Sequence, residues 1–191
     1  MYDILEKIFA VLIAVVLMFF FPLLDVFERM DDLSFMTVYA STVKFVDTVR
    51  NTGRITPELY FEFKQILDAT GNRYNVEIIH RHLSYYPELD IENYENEYSY
   101  VELFDEVYTE QMLVLMGIMI EENGEIIYNT DLSAMQNYED FAVGDYFYVC
   151  VKNTEETPAT VIKNVLYGAN LENVSIIVPY GGMIRNIPID L

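Results

Sequence analysis

The chain has 191 residues, with 31 Asp and Glu against 11 Lys and Arg, a net charge of −20 and a pI near 4.2. So acidic a balance excludes nucleic-acid binding, which needs Lys and Arg to neutralise phosphates, and charge-driven docking on anionic lipid heads. Beyond the N-terminal helix about 140 residues remain, enough for one compact core, and sixteen Tyr and twelve Phe are there to fill it.

The first element is an uncharged apolar run of 17 residues, Ile8 to Leu24, bounded by Glu6-Lys7 and Asp25. At the helical rise it covers roughly 25 Å, close to a hydrocarbon core. The stretch before it holds two acids and one base, and no A-x-A-like site follows it, so a retained anchor is expected rather than a cleaved signal. A buried core helix is the alternative, but Val15 to Leu24 is apolar on every face, whereas a surface helix keeps a polar one. The expected arrangement is single-pass in the cell membrane, spanning residues 8–24, with the C-terminal part extracytoplasmic.

After Pro22 apolar residues recur at helical spacing through Val38, Phe45, Val46 and Val49, with Asp31, Asp32, Lys44, Asp47 and Arg50 between them. Asn51-Thr52-Gly53 then offers a left-handed C-terminal stop. Residues 1–53 therefore read as one helix, an anchor continued as an amphipathic stalk, and 54–191 as an α+β head. Thr56-Pro57-Glu58 supplies an N-cap, a first-turn proline and a first-turn acid. Leu59, Phe63, Ile66 and Leu67 make the buried stripe of that helix, and Gly71 ends it.

Alternation from Tyr74 to Ile79 predicts a strand, and Pro87 to Tyr98 an acidic loop. Thr109 to Ile120 reads as a helix or a strand, with length and Met content favouring the helix, Asn123-Gly124 reads as a turn, and Tyr128 to Glu139 is too polar to place. Gly144-Asp145 opens the clearest strand, Tyr146 to Lys152. Thr157-Pro158 starts a helix to Tyr167 that stops at Gly168. Val174 to Tyr180 is the last strand, and Gly181-Gly182 is expected to turn the chain.

Two clusters have ligand chemistry. His80 and His82, at i and i+2 on a strand, point to one face and suit a metal. Glu77 has the opposite parity, so a third ligand must come from elsewhere; strand-end packing is the plainer role. Residues 83–151 contain no Lys or Arg, and Asp90, Glu92, Asn93, Glu95 and Glu97 offer hard oxygen ligands for calcium. The loop spacing of a calcium hand is missing, and a solvated acidic face is the simpler account. The single cysteine, Cys150, excludes an intrachain disulfide and sits in an apolar strand where burial is expected. Asn173-Val174-Ser175 matches the glycosylation acceptor pattern, a weak signal. Serine-hydrolase, zincin, phosphate-loop and C-x-x-C motifs are missing, so no cofactor and no enzymatic activity are expected.

Several stretches carry a resemblance. They are Phe45-Val46-Asp47-Thr48-Val49-Arg50-Asn51-Thr52-Gly53-Arg54-Ile55-Thr56-Pro57, then Tyr60, Leu67, Thr70-Gly71-Asn72 and Tyr74-Asn75-Val76-Glu77. Later come Gly144-Asp145-Tyr146-Phe147, Val151-Lys152-Asn153 and Tyr180-Gly181-Gly182-Met183-Ile184. Together with the N-terminal helix and stalk, the chain resembles type IV pilin-like proteins, and more specifically the TadE-like minor pseudopilins of clostridial Tad-type pilus systems. The resemblance implies an assembly role beside other pilin-like or secretion subunits. It also implies that, with Met1 removed and Tyr2 as the new terminus, the Glu6 carboxylate would meet a neighbour's terminal amine. No basic leader ending in Gly precedes Tyr2, and the alternative leaves Glu6 among the lipid headgroups. Three functions follow: a pseudopilin-like structural or assembly component, a membrane-anchored extracellular binding module, or an exported metalloenzyme around His80 and His82.

Overall fold

The computed structural model describes residues 2–88, 99–122, 125–129, 131–168 and 176–187. Helix α1, Tyr2–Thr52, is a single 51-residue element that continues through Pro22, roughly 77 Å at the ideal rise. It is the one helix, among the described residues, long and apolar enough to cross a membrane. From Ile4 to Phe19 every side chain is exposed. From Ser34 onward the pattern changes: Ser34, Val38, Ser41, Thr42, Phe45, Val46 and Val49 form a buried stripe of helical period. Thr42 satisfies its hydroxyl by donating to the Val38 carbonyl at 2.7 Å. Gly53, at φ 65°, ends α1 where a Cβ would strike the Asn186 carbonyl.

Helix α2, Pro57–Asp68, starts as its sequence predicts, with Leu59 N–H donating to Thr56 Oγ1 at 3.2 Å. Its buried stripe is Pro57, Tyr60, Phe63 and Leu67, so Tyr60 takes the place expected for Leu59 and Ile66, which are only half-buried. Phe63 stacks on Phe45 of α1 with centroids 4.5 Å apart and the rings within 9° of parallel.

The head is α+β. An antiparallel sheet is built from β1 (Tyr74–Glu88), β2 (Ser99–Tyr108), β5 (Tyr146–Asn153) and β6 (Ile177–Met183), in the order β2-β1-β5-β6. Register places Val76, Val151 and Val178 in one cross-strand row, and Ile78, Val149 and Tyr180 in the next. These rows meet α1, closing the core together with α2. Between β2 and β5 lie α3 (Thr109–Leu115), the paired strands β3 (Met119–Glu122) and β4 (Glu125–Tyr128), and a short 3₁₀ turn, Leu132–Ala134. Helix α4, Pro158–Tyr167, follows β5 and ends at Gly168, φ 60°.

Three expectations are corrected, and one strand is added. Strand β1 continues past Ile79 to Glu88, so Pro87 lies in a strand; beyond Arg81, among the described residues, β2 alone pairs with it, the edge setting in which a strand tolerates proline. Strand β2 itself had no sequence signal. The helix at Thr109 stops at Leu115, because Gly117 turns at φ 70° and the chain then enters β3. Gly181 and Gly182 lie within β6 rather than in a turn. They are glycines because a Cβ at 181 would meet the Phe147 carbonyl oxygen at 2.8 Å and one at 182 the Arg50 guanidinium at 2.6 Å. That guanidinium is held by Asp47 Oδ1 at 2.7 Å and the Met183 carbonyl at 3.0 Å. Cys150 is buried, as expected. Asn123-Gly124 and Asn173-Val174-Ser175 lie outside the described residues.

Candidate functional site

Alternation along β1 sends His80 and His82 to the same face as Ile78 and Val76, toward α1. Directly opposite residues on paired strands share a face, so the register builds the surroundings of both rings. His80 lies between Val107 of β2 and Phe147 of β5, and His82 is opposite Asp105 of β2. One residue before β5, the Gly144-Asp145 turn brings a third group. Gly144 takes φ 99°, and the Ile184 N–H bonds the Asp145 carbonyl at 2.8 Å, fixing the turn against the end of β6.

Asp145 lies between the two histidines. Its Oδ2 is 2.8 Å from His80 Nε2 and its Oδ1 is 2.7 Å from His82 Nδ1. The Ala142 N–H donates to Oδ2 at 2.7 Å. His80 is 1% exposed and Asp145 3%, whereas the His82 side chain keeps 43% of its surface. A carboxylate this deep is costly unless its lone pairs are occupied, and three donors occupy them here. The other nitrogen of His80 is 2.9 Å from the Tyr138 hydroxyl. Burial first, then the charges of Asp140 and Asp145, push the Tyr138 phenol well above its ordinary range, so it stays protonated and available as a hydrogen-bond partner. Tyr138 is brought there by a backbone bridge to Ile55, with both hydrogen bonds 2.8 Å long. Phe141 completes the wall, its ring 4.5 Å from that of His80 and 5.0 Å from that of Tyr138.

Beside the cluster is an open cavity of about 230 Å³, lined by His80, His82, Asp105, Val107, Asp140 and Phe141. Chemically this is two imidazoles and a buried carboxylate at the edge of a solvent-accessible, acid-lined hollow. No family model, no curated protein and no solved structure matches the chain. The geometry therefore stands by itself.

Of the residues singled out from sequence, His80 and His82 meet as the strand parity requires, and Glu77 points away and is held by Lys152 Nζ at 3.0 Å. Asp90, Glu92 and Glu95 lie outside the described residues. Glu6 is exposed on the free end of α1. Sequence reasoning missed Asp145 as a site residue, reading it only as the opener of a strand, and left Tyr138 in an unplaced segment. Neither position carries a local signal for this role, because register and a long-range bridge bring both to the site. A second, larger cleft of about 640 Å³ between α2, β1 and α3 has Lys64, Glu77 and Glu110 in its wall. Burial raises the Tyr60 phenol at its edge, but among the described residues no cluster of ligand-type side chains gathers there.

Proposed function

We propose that the chain is a membrane-anchored, pilin-like structural subunit: residues 8–24 span the bilayer, the head is extracytoplasmic, and α1 packs laterally against helices of neighbouring subunits. One observation carries this reading. Leu5, Phe9, Leu12, Val16, Phe19, Leu23, Val26, Met30 and Leu33 recur alternately four and three residues apart, and all are exposed. That is the spacing of a helix–helix seam. Within the apolar run any spacing would be apolar, so the informative members are Val26, Met30 and Leu33. They hold the phase among Asp25, Arg29 and Asp32, on a helix whose other face is occupied by the head. Exposed apolar surface of this extent marks a protein or membrane contact.

The head also lies close to the proposed bilayer surface. Lys163 of α4 pairs with Glu28 at 2.8 Å, and the buried Thr157 hydroxyl donates to Asp31 Oδ2 at 2.6 Å. Glu28 is one helical turn, about 6 Å, beyond Leu24. The likeness to TadE-like pseudopilins in the stretches around Phe45–Pro57 and Tyr180–Ile184 supports the assembly role, and Glu6 would then meet a neighbour's amino terminus.

Cysteine scanning tests this cleanly, because the one native cysteine is buried. Met30→Cys and Leu33→Cys are expected to cross-link in membranes, to each other or to pilus-type subunits, whereas Arg29→Cys and Asp32→Cys are not. Equal cross-linking at all four positions, or none at any, would overturn lateral packing through this seam. The second reading, an anchored extracellular binding module, is favoured by the cavity beside His82. It predicts a monomeric anchor with ligand recognition confined to the head.

A further inference from the structure

Lateral packing of α1 makes no use of the two imidazoles and carboxylate on the far end of the sheet. We propose that His80 Nε2, His82 Nδ1 and the Asp145 carboxylate form a zinc site with one coordination position open to the cavity. The three ligand atoms lie within 4.8 Å of one another. Around a tetrahedral zinc with bonds near 2.0 Å, ligand atoms sit about 3.3 Å apart, so the present contacts of 2.7 and 2.8 Å, made to the two different oxygens of Asp145, open by about half an ångström while the wider separations in the set, all within 4.8 Å, close toward the same value. Two imidazoles and a carboxylate select a borderline ion over calcium or magnesium, whose sites are built from oxygen.

The outer partners fit as well. With zinc on Nε2, the Nδ1–H of His80 donates to the Tyr138 oxygen, which fixes the ring's tautomer and orientation; the Ala142 N–H holds Asp145 Oδ2 in place. His82, the half-exposed member, forms the entry side. Asp105 and Asp140 line the cavity before the open position and favour the approach of a cation. Each ring nitrogen that takes the ion gives up the proton it now donates to Asp145, and in a neutral imidazole that proton moves to the other ring nitrogen, so binding changes the tautomer of both rings. The bound ion replaces those two hydrogen bonds and joins β1 to the 138–145 segment.

The test uses the full chain in detergent micelles, stripped with a chelator, with Zn²⁺ titrated calorimetrically and Co²⁺ followed by its visible absorption. One ion per chain is expected, with a spectrum of tetrahedral cobalt and a zinc-dependent rise in melting temperature. His82→Ala is expected to lower the affinity by about 100-fold or more, since loss of even an outer partner costs about 10–100-fold. Asp105→Asn, which lines the cavity without ligating, should change it by less than about tenfold. X-ray absorption on zinc-loaded wild type should show two imidazole nitrogens around the ion, a readout that depends on no variant. Failure of the wild type to bind either ion, unchanged affinity in His82→Ala, or a zinc shell without imidazole would overturn the site and leave a hydrogen-bonded clasp only. None of these outcomes depends on whether α1 packs with neighbours.

Discussion

The two halves of α1 are one continuous helix with opposite relations to their surroundings. Residues 4–33 are apolar nearly all round as far as Leu24 and almost entirely exposed, while residues 34–52 are apolar along one stripe and that stripe is buried under α2 and the sheet. Phe19 is 74% exposed and Phe45 2%. Hydrophobicity does not distinguish them; the presence of a folded partner does. A stripe flanked by Lys44, Asp47 and Arg50 can be matched by a single sheet face, and Phe45 has Phe63 and Phe147 on either side. No small head could cover a helix apolar on every side, so its first half is left to a bilayer or to other helices.

Substitutions at equivalent side chains should split along this line. Phe45→Ala is expected to cost the head about 3–5 kcal/mol, because the ring is enclosed and the cavity cannot collapse freely; denaturant unfolding followed by near-ultraviolet dichroism measures it, and a loss below 1 kcal/mol would contradict the packing, by that same range. Asp145→Ala should come next, at about 2–4 kcal/mol, since it strands the buried His80 nitrogen and the Ala142 N–H. The same measurement in chelator separates that loss from any metal effect, and a neutral outcome would mean the carboxylate is not the group that holds the 138–145 segment.

Thr157→Ala removes both the N-cap of α4 and the hydrogen bond to Asp31 that ties α4 to α1. About 1 kcal/mol is expected, with faster hydrogen exchange at Thr160 and Val161 but not in α2; uniform exchange changes would show that α4 is not tied down locally. Smallest of all, Phe19→Ala should leave head stability within about 0.5 kcal/mol. Its effect should appear in cross-linking yield instead, and a destabilised head would break the contrast between the two halves.

Much of the fold was legible from local chemistry. Thr56-Pro57 and Thr157-Pro158 marked helix starts to the residue, and Gly53 and Gly168 marked ends, because caps and left-handed turns are decided within four or five residues. The strand at Tyr146 was equally plain. What escaped was set at long range. Strand β2 reads as an acidic stretch until β1 pairs with it, and β1 outruns its own pattern because β2 extends the ladder. Gly181-Gly182 resembles a turn until the Arg50 guanidinium and the Phe147 carbonyl are seen against it. Half of the candidate site followed from parity alone, His80 and His82 being two residues apart on one strand.

By itself the sequence determined that a long apolar helix leads into an acidic α+β head, where that helix ends and the next begins, and that two histidines share a face. These follow from periodicity, capping and composition, which act over a few residues. Only the tertiary structure decided which half of α1 is covered, which strands pair, and that Asp145 and Tyr138 join the histidines 58 and more residues away. Contacts of that separation depend on register and on the closing of long loops, and no local pattern encodes either.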